Sequence, residues 1–254
     1  MSDSFLGIVG VSKRFGGVEA IKDINIEVKK GSITGLIGPN GSGKTTLFNV
    51  ITGFYTPDSG EICFKGSRID GFNPNETYTL GLARTFQSPR LFPRLTMLEN
   101  LLLAPPHQMG ERLIYATLEK KWDKQERAIA IDSKGVAERL LLNGIEGTLT
   151  ADLSGAHMKL VETARGLMGG AQLLLMDEPA AGVLYSTARE IFDYISLLRK
   201  EYGLTFFVIE HRLDVLLDYV DYVYVLHLGK LLSEGTPEEV MKDKNVIEAY
   251  VGQS

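Results

Sequence analysis

The stretch at residues 38–45, GPNGSGKT, combines closely spaced glycines with a lysine and a threonine. It fits the pattern G-x-x-x-x-G-K-[ST], in which backbone N–H groups converge on phosphate oxygens without a Cβ in the way. Lys44 is expected to reach the β- and γ-phosphates, and Thr45 to offer its hydroxyl to Mg²⁺. An apolar strand before the loop and a helix after it favour this interpretation over a plain glycine turn. The residues predicted to contact the nucleotide phosphates are Gly38, Pro39, Asn40, Gly41, Ser42, Gly43, Lys44, Thr45 and Thr46.

A second group of polar residues follows the apolar run LLLM at residues 173–176, where Asp177 and Glu178 come in succession. A buried strand that ends in two carboxylates can hold the first beside Mg²⁺ and the second near an attacking water. That layout is the one that hydrolysis of a γ-phosphate requires. Many strands end in acidic residues for other reasons. These two carboxylates indicate a nucleotide site because the chain also contains the phosphate-binding loop.

His211 and Gln87 also occupy positions where they can act on a phosphate. His211 follows the apolar run of residues 206–209. The carboxyl ends of parallel strands gather at one edge, where ligands bind. We therefore expect Thr45, Asp177 and His211 near one edge, with His211 donating to the γ-phosphate. The uncharged amide of Gln87 is suited to Mg²⁺ or to the water. The alternatives are a structural histidine and an ordinary polar loop residue.

Composition restricts the class of protein. The chain has 254 residues, of which 44% are hydrophobic and 23% are charged. These values are typical of a folded α/β domain. The net charge of −5 argues against a general nucleic-acid binder, so no nucleic-acid partner is expected. The single cysteine, Cys63, excludes an internal disulfide and is predicted to be packed in a strand. We find no secretory signal and no apolar run long enough to cross a bilayer.

The hydrophobic pattern predicts an α/β fold with an inserted helical block. Residues 5–37 indicate short strands, residues 44–52 a helix, and residues 55–69 a turn with a hairpin. Helical patterns fill residues 89–168, after which strands and helices alternate, as in βαβ units with a mainly parallel sheet. We predict a P-loop NTPase core with a largely parallel sheet, an N-terminal antiparallel β region and an inserted helical subdomain. Residues 1–254 then form a single domain, with residues 1–88 and 169–254 as the α/β core and residues 89–168 as the helical subdomain.

The order of these motifs resembles that of the ATP-binding subunits of ABC transporters. The phosphate-binding loop, Gln87, the stretch LSGAH at residues 153–157, LLLMDEP and His211 follow one another over nearly the whole chain. The resemblance implies that Phe15 stacks on adenine, although a core or turn aromatic is the alternative. The segments ITGFYTPDSGEI, RTFQSPRLFPRLTMLENLL, DEPAAGV and GTPEEVMKDKNVIEAYVG are similar to the branched-chain amino acid subfamily. Urea and lipopolysaccharide transport ATPases have close patterns.

The stretch LSGAH corresponds to the family signature, which is usually LSGGQ. Its residues are Leu153, Ser154, Gly155, Ala156 and His157. The resemblance implies that Ser154 and the Gly155 backbone face the γ-phosphate bound by a partner subunit, with a helix N-terminus supplying the attraction. Ser154 is also an ordinary helix N-cap. We expect that Ala156 crowds the phosphate and that His157 does not reproduce the reciprocal cap a glutamine makes.

A second departure from the family follows Glu178. Relatives often carry an aspartate in the short stretch that crosses the dimer, whereas this chain has no carboxylate between Pro179 and Glu190. We therefore expect dimer contacts of Val183 and Leu184 to be apolar or through the backbone.

The resemblance implies an ATPase that binds ATP and Mg²⁺, with Glu178, His211 and Gln87 as catalytic residues and Thr45, Gln87 and Asp177 around the metal. A second ATPase subunit, identical or related, is expected to close the sites on ATP binding. Two transmembrane permease subunits and an external solute-binding protein are the other expected partners. The predicted location is the cytoplasmic face of the membrane. There the segment 87–95 is expected to transmit closure of the ATPase dimer to the permeases, which import a small solute. Branched-chain amino acids are the expected cargo. The alternatives are another cargo, such as urea or lipopolysaccharide, or a soluble ABC protein that regulates through nucleotide binding.

Overall fold

A computed structural model describes residues 4–111 and 119–251 of the chain, which begins with two long strands joined in a hairpin. Ile24, Ile26 and Val28 on the second strand are buried, whereas the residues between them are exposed. This alternation packs one face of an antiparallel sheet on the core. The sheet has the order β2-β1-β4-β5. Its strands are β1 (Ser4–Phe15), β2 (Val18–Lys29), β4 (Ser59–Phe64) and β5 (Ser67–Arg68).

A second sheet of six strands has the order β10-β9-β3-β8-β7-β6. Its strands are β3 (Ile33–Ile37), β6 (Leu82–Thr85), β7 (Leu173–Asp177), β8 (Thr205–Ile209), β9 (Tyr222–His227) and β10 (Lys230–Gly235). All neighbouring pairs are parallel except β9 with β10. Strands β3, β7 and β8 are buried over their whole length, as expected for a sheet covered on both faces. Their carboxyl ends therefore meet at one edge.

Nine α-helices are distributed along the described residues 4–111 and 119–251. They are α1 (Lys44–Ile51), α2 (Pro74–Thr79), α3 (Met97–Leu102), α4 (Glu119–Arg139), α5 (Gly155–Met168), α6 (Tyr185–Tyr202), α7 (Leu213–Leu216), α8 (Pro237–Lys242) and α9 (Lys244–Val251). The chain divides into two compact units. Unit 1, Met1–Gln87 with Gln172–Ser254, contains both sheets, and unit 2, Ser88–Ala171, contains α3, α4 and α5. Within residues 4–111 and 119–251, no helix has the length and apolar character of a membrane span.

The predicted fold class is confirmed, and the differences are local. Strands β1 and β2 have 12 residues each. They are longer than the short strands expected, because register shifts let them bend without ending. The pattern did not predict α2, which Asn73 caps by accepting from the backbone N–H of Glu76. Strand β6, also not predicted, is only four residues long. Cys63 lies in β4 as expected but is half-buried, because Ile62 and Phe64 on either side take the core-facing positions.

Candidate functional site

The loop between β3 and α1 contains two glycines, Gly38 and Gly43, at which a side chain would collide with neighbouring backbone. A Cβ on Gly38, which has a φ of 147°, lies 2.1 Å from the carbonyl oxygen of Leu226. A Cβ on Gly43, with a φ of 104°, lies 2.6 Å from the carbonyl oxygen of Ala20. Both glycines therefore let the loop pack closely against neighbouring strands. Helix α1 begins immediately after this loop, at Lys44.

Lys44 is buried within the loop that precedes it. Its Nζ donates to the carbonyl oxygens of Gly38 at 2.7 Å and Pro39 at 3.0 Å. Burial lowers the pKa of Lys44, while the nearby charges of Glu178 and Asp177 act in the opposite direction. The ammonium group is thus held inside the loop, near the carboxylates at the end of β7.

A cavity of about 440 Å³ opens on this loop. It is lined by residues 40–46 of the loop, by Val18, Glu19 and Ala20 of β2, by Leu228 and Gly229 between β9 and β10, and by Glu178 and His211. The structure thus brings the loop, the acid after β7 and the histidine after β8 to one concave surface. Phe15 is not among the lining residues. Its ring is half exposed and packs edge-on against Tyr55 at a centroid distance of 5.0 Å.

Glu178 is contacted by both of the other predicted catalytic side chains. Gln87 Nε2 donates to Glu178 Oε2 at 2.7 Å, and His211 Nε2 lies 3.0 Å from Glu178 Oε1. The backbone of Glu178 has a φ of 51°, in the left-handed region that side chains rarely adopt. Backbone conformations of this kind are concentrated at active sites, where the surrounding structure maintains them.

Asp177 forms a buried ion pair that the sequence did not indicate. Arg84, on β6, places Nη2 2.8 Å from Asp177 Oδ2 and donates from Nη1 to Asn49 Oδ1 at 2.6 Å. The guanidinium lies over the ring of Phe86, 5.0 Å from its centroid. Arg84 therefore fixes the position of the Asp177 carboxylate at the end of β7. Its signal in the sequence was a single arginine in a short strand, 93 residues before its partner.

Two further residues at the site were also missed. Glu210, just before His211, is buried and accepts hydrogen bonds from three backbone N–H groups. Burial raises the pKa of the phenol of Tyr250, on α9, to about 12, while the nearby backbone of Gly38 acts in the opposite direction. The carboxyl-terminal helix therefore places Tyr250 near the first glycine of the loop.

The LSGAH stretch forms the start of α5 in unit 2. Ser154 is the N-cap and its Oγ accepts from the backbone N–H of His157 at 3.3 Å. His157 Nδ1 lies 2.9 Å from the same Oγ, so the imidazole contacts the serine hydroxyl. A glutamine in a capping box instead reaches back to the backbone N–H of the N-cap residue. Gly155 and Ala156 occupy the first two helical positions, and Leu153 is buried just before them.

The segment Arg90–Leu95, called the 90–95 segment below, is held against helix α5 within unit 2. Glu162 Oε1 accepts from the backbone N–H of Arg90 at 3.0 Å, and Arg165 Nη1 donates to the Arg90 carbonyl at 2.7 Å. The Arg165 guanidinium also lies 5.4 Å from the ring centroid of Phe92. Buried Asn100 accepts from the backbone N–H of Phe92 at 2.9 Å. These contacts leave the Phe92 side chain half exposed.

The residues after Pro179 present an apolar surface to solvent. Leu184 is 77% exposed, and Tyr185 is also exposed beside the guanidinium of Arg212, 5.4 Å from its ring centroid. The carbonyl of Val183 accepts from Arg212 Nη1 at 3.2 Å. Leu184 is thus available for apolar contact, while the backbone at Val183 is already engaged within the chain.

Comparisons with protein families match two parts of the chain. A model described as "ABC transporter" matches residues 21–181, and one described as "Branched-chain amino acid ATP-binding cassette transporter" matches residues 230–254. A probable branched-chain amino acid transport ATP-binding protein of Archaeoglobus fulgidus is 42% identical over 242 residues, covering 95% of this chain and 93% of the relative. A high-affinity branched-chain amino acid transport ATP-binding protein of Escherichia coli is 34% identical over 255 residues, covering 100% of both.

Solved structures of similar fold include ATP-binding cassettes of ABC transporters. A nucleotide-free cassette has a TM-score of 0.85 and 39% identity, covering 97% of this chain and 98% of that chain. A cassette in its ADP conformation has a TM-score of 0.85 and 38% identity, covering 98% of this chain and 99% of that chain. The matches extend over both units described above.

Proposed function

Because this chain belongs to the ABC transporter family and is an ATPase coupled to transport, we propose that it powers import of branched-chain amino acids. The proposal that the chain hydrolyses ATP is supported by one observation, which is that the phosphate-binding loop, Glu178 and His211 line the same cavity. The proposed cargo, branched-chain amino acids, is inferred from the subfamily match at residues 230–254 and from the transport activity in the names of the relatives.

ATP binds with its phosphates in the loop of residues 38–45. Lys44 exchanges the carbonyl oxygens of Gly38 and Pro39 for phosphate oxygens, and the dipole of α1 favours the same charge. The Ser42 hydroxyl is buried and has no hydrogen-bond partner in residues 4–111 and 119–251, so the loop has polar capacity left for a ligand. The glycine packing keeps the backbone N–H groups of the loop in place.

The donor set around the loop fits Mg²⁺ that arrives with the nucleotide. Thr45 and Asp177 supply oxygen atoms of the kind that Mg²⁺ prefers, and Gln87 is close through its contact with Glu178. Within residues 4–111 and 119–251, no cluster of three acidic, histidine or cysteine residues could hold a metal alone, so phosphate oxygens complete the set. When bound, Mg²⁺ neutralises charge on the phosphates.

Glu178 acts as the base in hydrolysis. Its carboxylate accepts a proton from a water molecule whose oxygen forms a bond to the γ-phosphorus, and the bond from that phosphorus to the bridging oxygen of ADP breaks. His211 donates from Nε2 to a γ-phosphate oxygen, and Gln87 holds the water in place. The contacts of Gln87 and His211 with Glu178 keep the three side chains within reach of one another.

A second ATPase subunit, either another copy or a related chain, completes each site. Ser154 and the start of α5 contact the γ-phosphate held by the partner, where free backbone N–H groups and the helix dipole attract an anion. The exposed Leu184 provides an apolar contact across the same interface. ATP binding closes the two subunits, and hydrolysis separates them.

The 90–95 segment contacts the two permease subunits on the cytoplasmic face of the membrane, and an external binding protein delivers the solute. Its exposed Phe92 and Arg94 provide an aromatic and a cationic contact. Because Glu162 and Arg165 fasten this segment to α5, movement of Ser154 at the beginning of that helix reaches the permeases through a packed helix.

A transport assay tests this proposal. The chain is reconstituted in proteoliposomes with two permease subunits and a binding protein of the branched-chain amino acid type. Uptake of labelled leucine is then measured with ATP supplied on the side that carries this chain. We expect ATP-dependent uptake that Glu178→Gln abolishes. Uptake of urea but not leucine overturns the cargo, and an absence of ATP hydrolysis with every cargo overturns the catalytic assignment.

A further inference from the structure

Glu210 is a buried carboxylate that the mechanism above does not use. It is 1% exposed, although it lies only one residue before His211. Its Oε2 accepts from the backbone N–H of Ala180 at 2.9 Å. Its Oε1 accepts from the backbone N–H of His211 at 2.8 Å and of Arg212 at 3.2 Å. Burial of a carboxylate is costly unless its oxygens are bonded, so these three hydrogen bonds are what keeps it in place.

The two oxygens of Glu210 bond to two different chain segments. One is the segment that follows Glu178, and the other is the turn that carries His211. The same segments are also joined where the backbone N–H of Glu178 donates to the carbonyl of Ile209 at 2.9 Å. The carboxylate thus bridges the backbones that present the 3.0 Å contact between His211 Nε2 and Glu178 Oε1.

A carboxylate suits this position better than an amide. Ionised glutamate only accepts hydrogen bonds, and bonds from backbone N–H groups to a charged oxygen are short and strong. A glutamine of the same size turns an NH₂ group toward one of the N–H donors and loses that bond. Glu178 is held in a left-handed conformation with a φ of 51°. Such a conformation depends on surrounding contacts of this kind to keep its geometry.

We propose that Glu210 is a positioning residue that sets the geometry between Glu178 and His211 for hydrolysis. The inference rests on the proposed function and adds a residue to the support of its site. Both oxygens of Glu210 are directed at backbone N–H groups rather than at the loop of Lys44. Its loss therefore changes turnover and leaves ATP affinity, which depends on Lys44 and the loop, in place.

The test compares Glu210→Gln with Asp221→Asn in ATPase assays of the full chain. Asp221 also accepts from a backbone N–H, that of Ile33 at 2.8 Å, but it lies where β3 and β9 begin, at the opposite edge of the sheet. Displacing a catalytic group can cost about a hundredfold in rate, so we expect kcat to fall at least about tenfold in Glu210→Gln. KM for ATP should stay within about twofold, and Asp221→Asn should leave kcat unchanged. A wild-type kcat in Glu210→Gln, or an equal loss in both variants, overturns the proposal.

Two further measurements separate positioning from a general loss of structure. In a Glu178→Gln background, adding Glu210→Gln should lower the residual rate by clearly less than it lowers the wild-type rate, because the carboxylate that Glu210 helps to position is already gone. Fully additive losses contradict the inference. NMR of labelled imidazoles, with the His211 signal assigned by its loss in His211→Ala, should show that signal shifted in Glu210→Gln but not in Asp221→Asn. An unmoved signal overturns the inference.

The NMR readout needs no turnover, so it distinguishes failure of this inference from failure of the proposed function. If Glu210→Gln does not fold, Glu210→Asp takes its place. It keeps the charge but withdraws the oxygens by one methylene, and the same loss of kcat with unchanged KM is expected. If Glu210→Asp keeps the wild-type kcat, hydrolysis does not require both carboxylate oxygens of Glu210 at their observed positions, and this contradicts the proposal.

Discussion

Replacing Arg84 with methionine should remove the cation that Asp177 contacts while keeping a long apolar stem. The two side chains are only 4% and 8% exposed, and the ion pair spans 2.8 Å. The substitution leaves a carboxylate in a place that water barely reaches. An unpaired buried charge of this kind is strongly destabilising.

The size of the effect follows from burial. Removing one partner of a buried ion pair costs about 3–5 kcal/mol in free energy of unfolding. Because Lys44 also interacts electrostatically with Asp177, we expect the lower part of that range, about 3 kcal/mol. Arg189→Met is the matched control. That arginine forms an ion pair of the same 2.8 Å length with Asp218, but the two side chains are 40% and 56% exposed. Both arginines also lie against aromatic rings.

Urea unfolding followed by circular dichroism gives the free energy of unfolding for the wild type and both variants. Arg84→Met should lose clearly more than Arg189→Met, because water screens the exposed pair. Near-equal losses in the two variants refute the argument that burial determines the value of this ion pair. A change in the slope against urea shows instead that the unfolding transition has altered.

Four other changes test the nucleotide site and the start of α5. Lys44→Ala should weaken binding of a fluorescent ATP analogue by about 1.5–3 kcal/mol, the worth of a charge-assisted hydrogen bond; unchanged affinity removes Lys44 from the site. Glu178→Gln should slow phosphate release and prolong an ATP-dependent dimer in gel filtration, and wild-type turnover contradicts its role as the base. Ser154→Arg should abolish turnover while sparing ATP affinity of the isolated subunit; intact dimerisation and hydrolysis would reduce Ser154 to a helix cap. Ala156→Gly combined with His157→Gln should raise the ATPase rate, because the serine hydroxyl is released from the imidazole and the Cβ expected to crowd the phosphate is removed. The same double variant should lose about 0.5–1 kcal/mol of stability to the glycine, seen as a lower melting temperature; a lower rate counts against crowding by Ala156.

The sequence was most informative where chemistry depends on neighbours in the chain. The loop of residues 38–45 and the acids at the end of β7 follow from local patterns, and the strand, loop and helix around them agree with the predicted fold class. The structure also places Glu178, Gln87 and His211 in contact, although their catalytic roles remain predictions. Parallel strands bring their ends together at one edge, so the proximity of Glu178 and His211 was predictable from the strand pattern. That of Gln87 was not, because it follows β6, which the pattern did not predict.

The residues that support the site were not predictable in this way. Arg84 meets Asp177 because β6 lies beside β7, a strand order that hydrophobic periodicity does not contain. Glu210 bonds a backbone group 30 residues earlier in the chain, and in the sequence it is only one more acid near a histidine. Tyr250 lies near Gly38 through the packing of the last helix. Each of these contacts depends on tertiary packing and leaves no local signal.

The hydrogen bonds of Lys44 to the carbonyls of Gly38 and Pro39 have a consequence for the rate at which products leave. When a nucleotide dissociates, the buried ammonium group of Lys44 forms hydrogen bonds with two carbonyl oxygens of its own loop. It therefore does not depend on water for hydrogen-bond acceptors. Release and binding of a nucleotide therefore each exchange one set of Lys44 hydrogen bonds for another. This exchange lowers the affinity for any phosphate-bearing ligand, ADP included, because the ligand replaces hydrogen bonds that the loop already makes. For a motor that must discard ADP in every cycle, a loop that bonds to itself favours repeated turnover over tight retention.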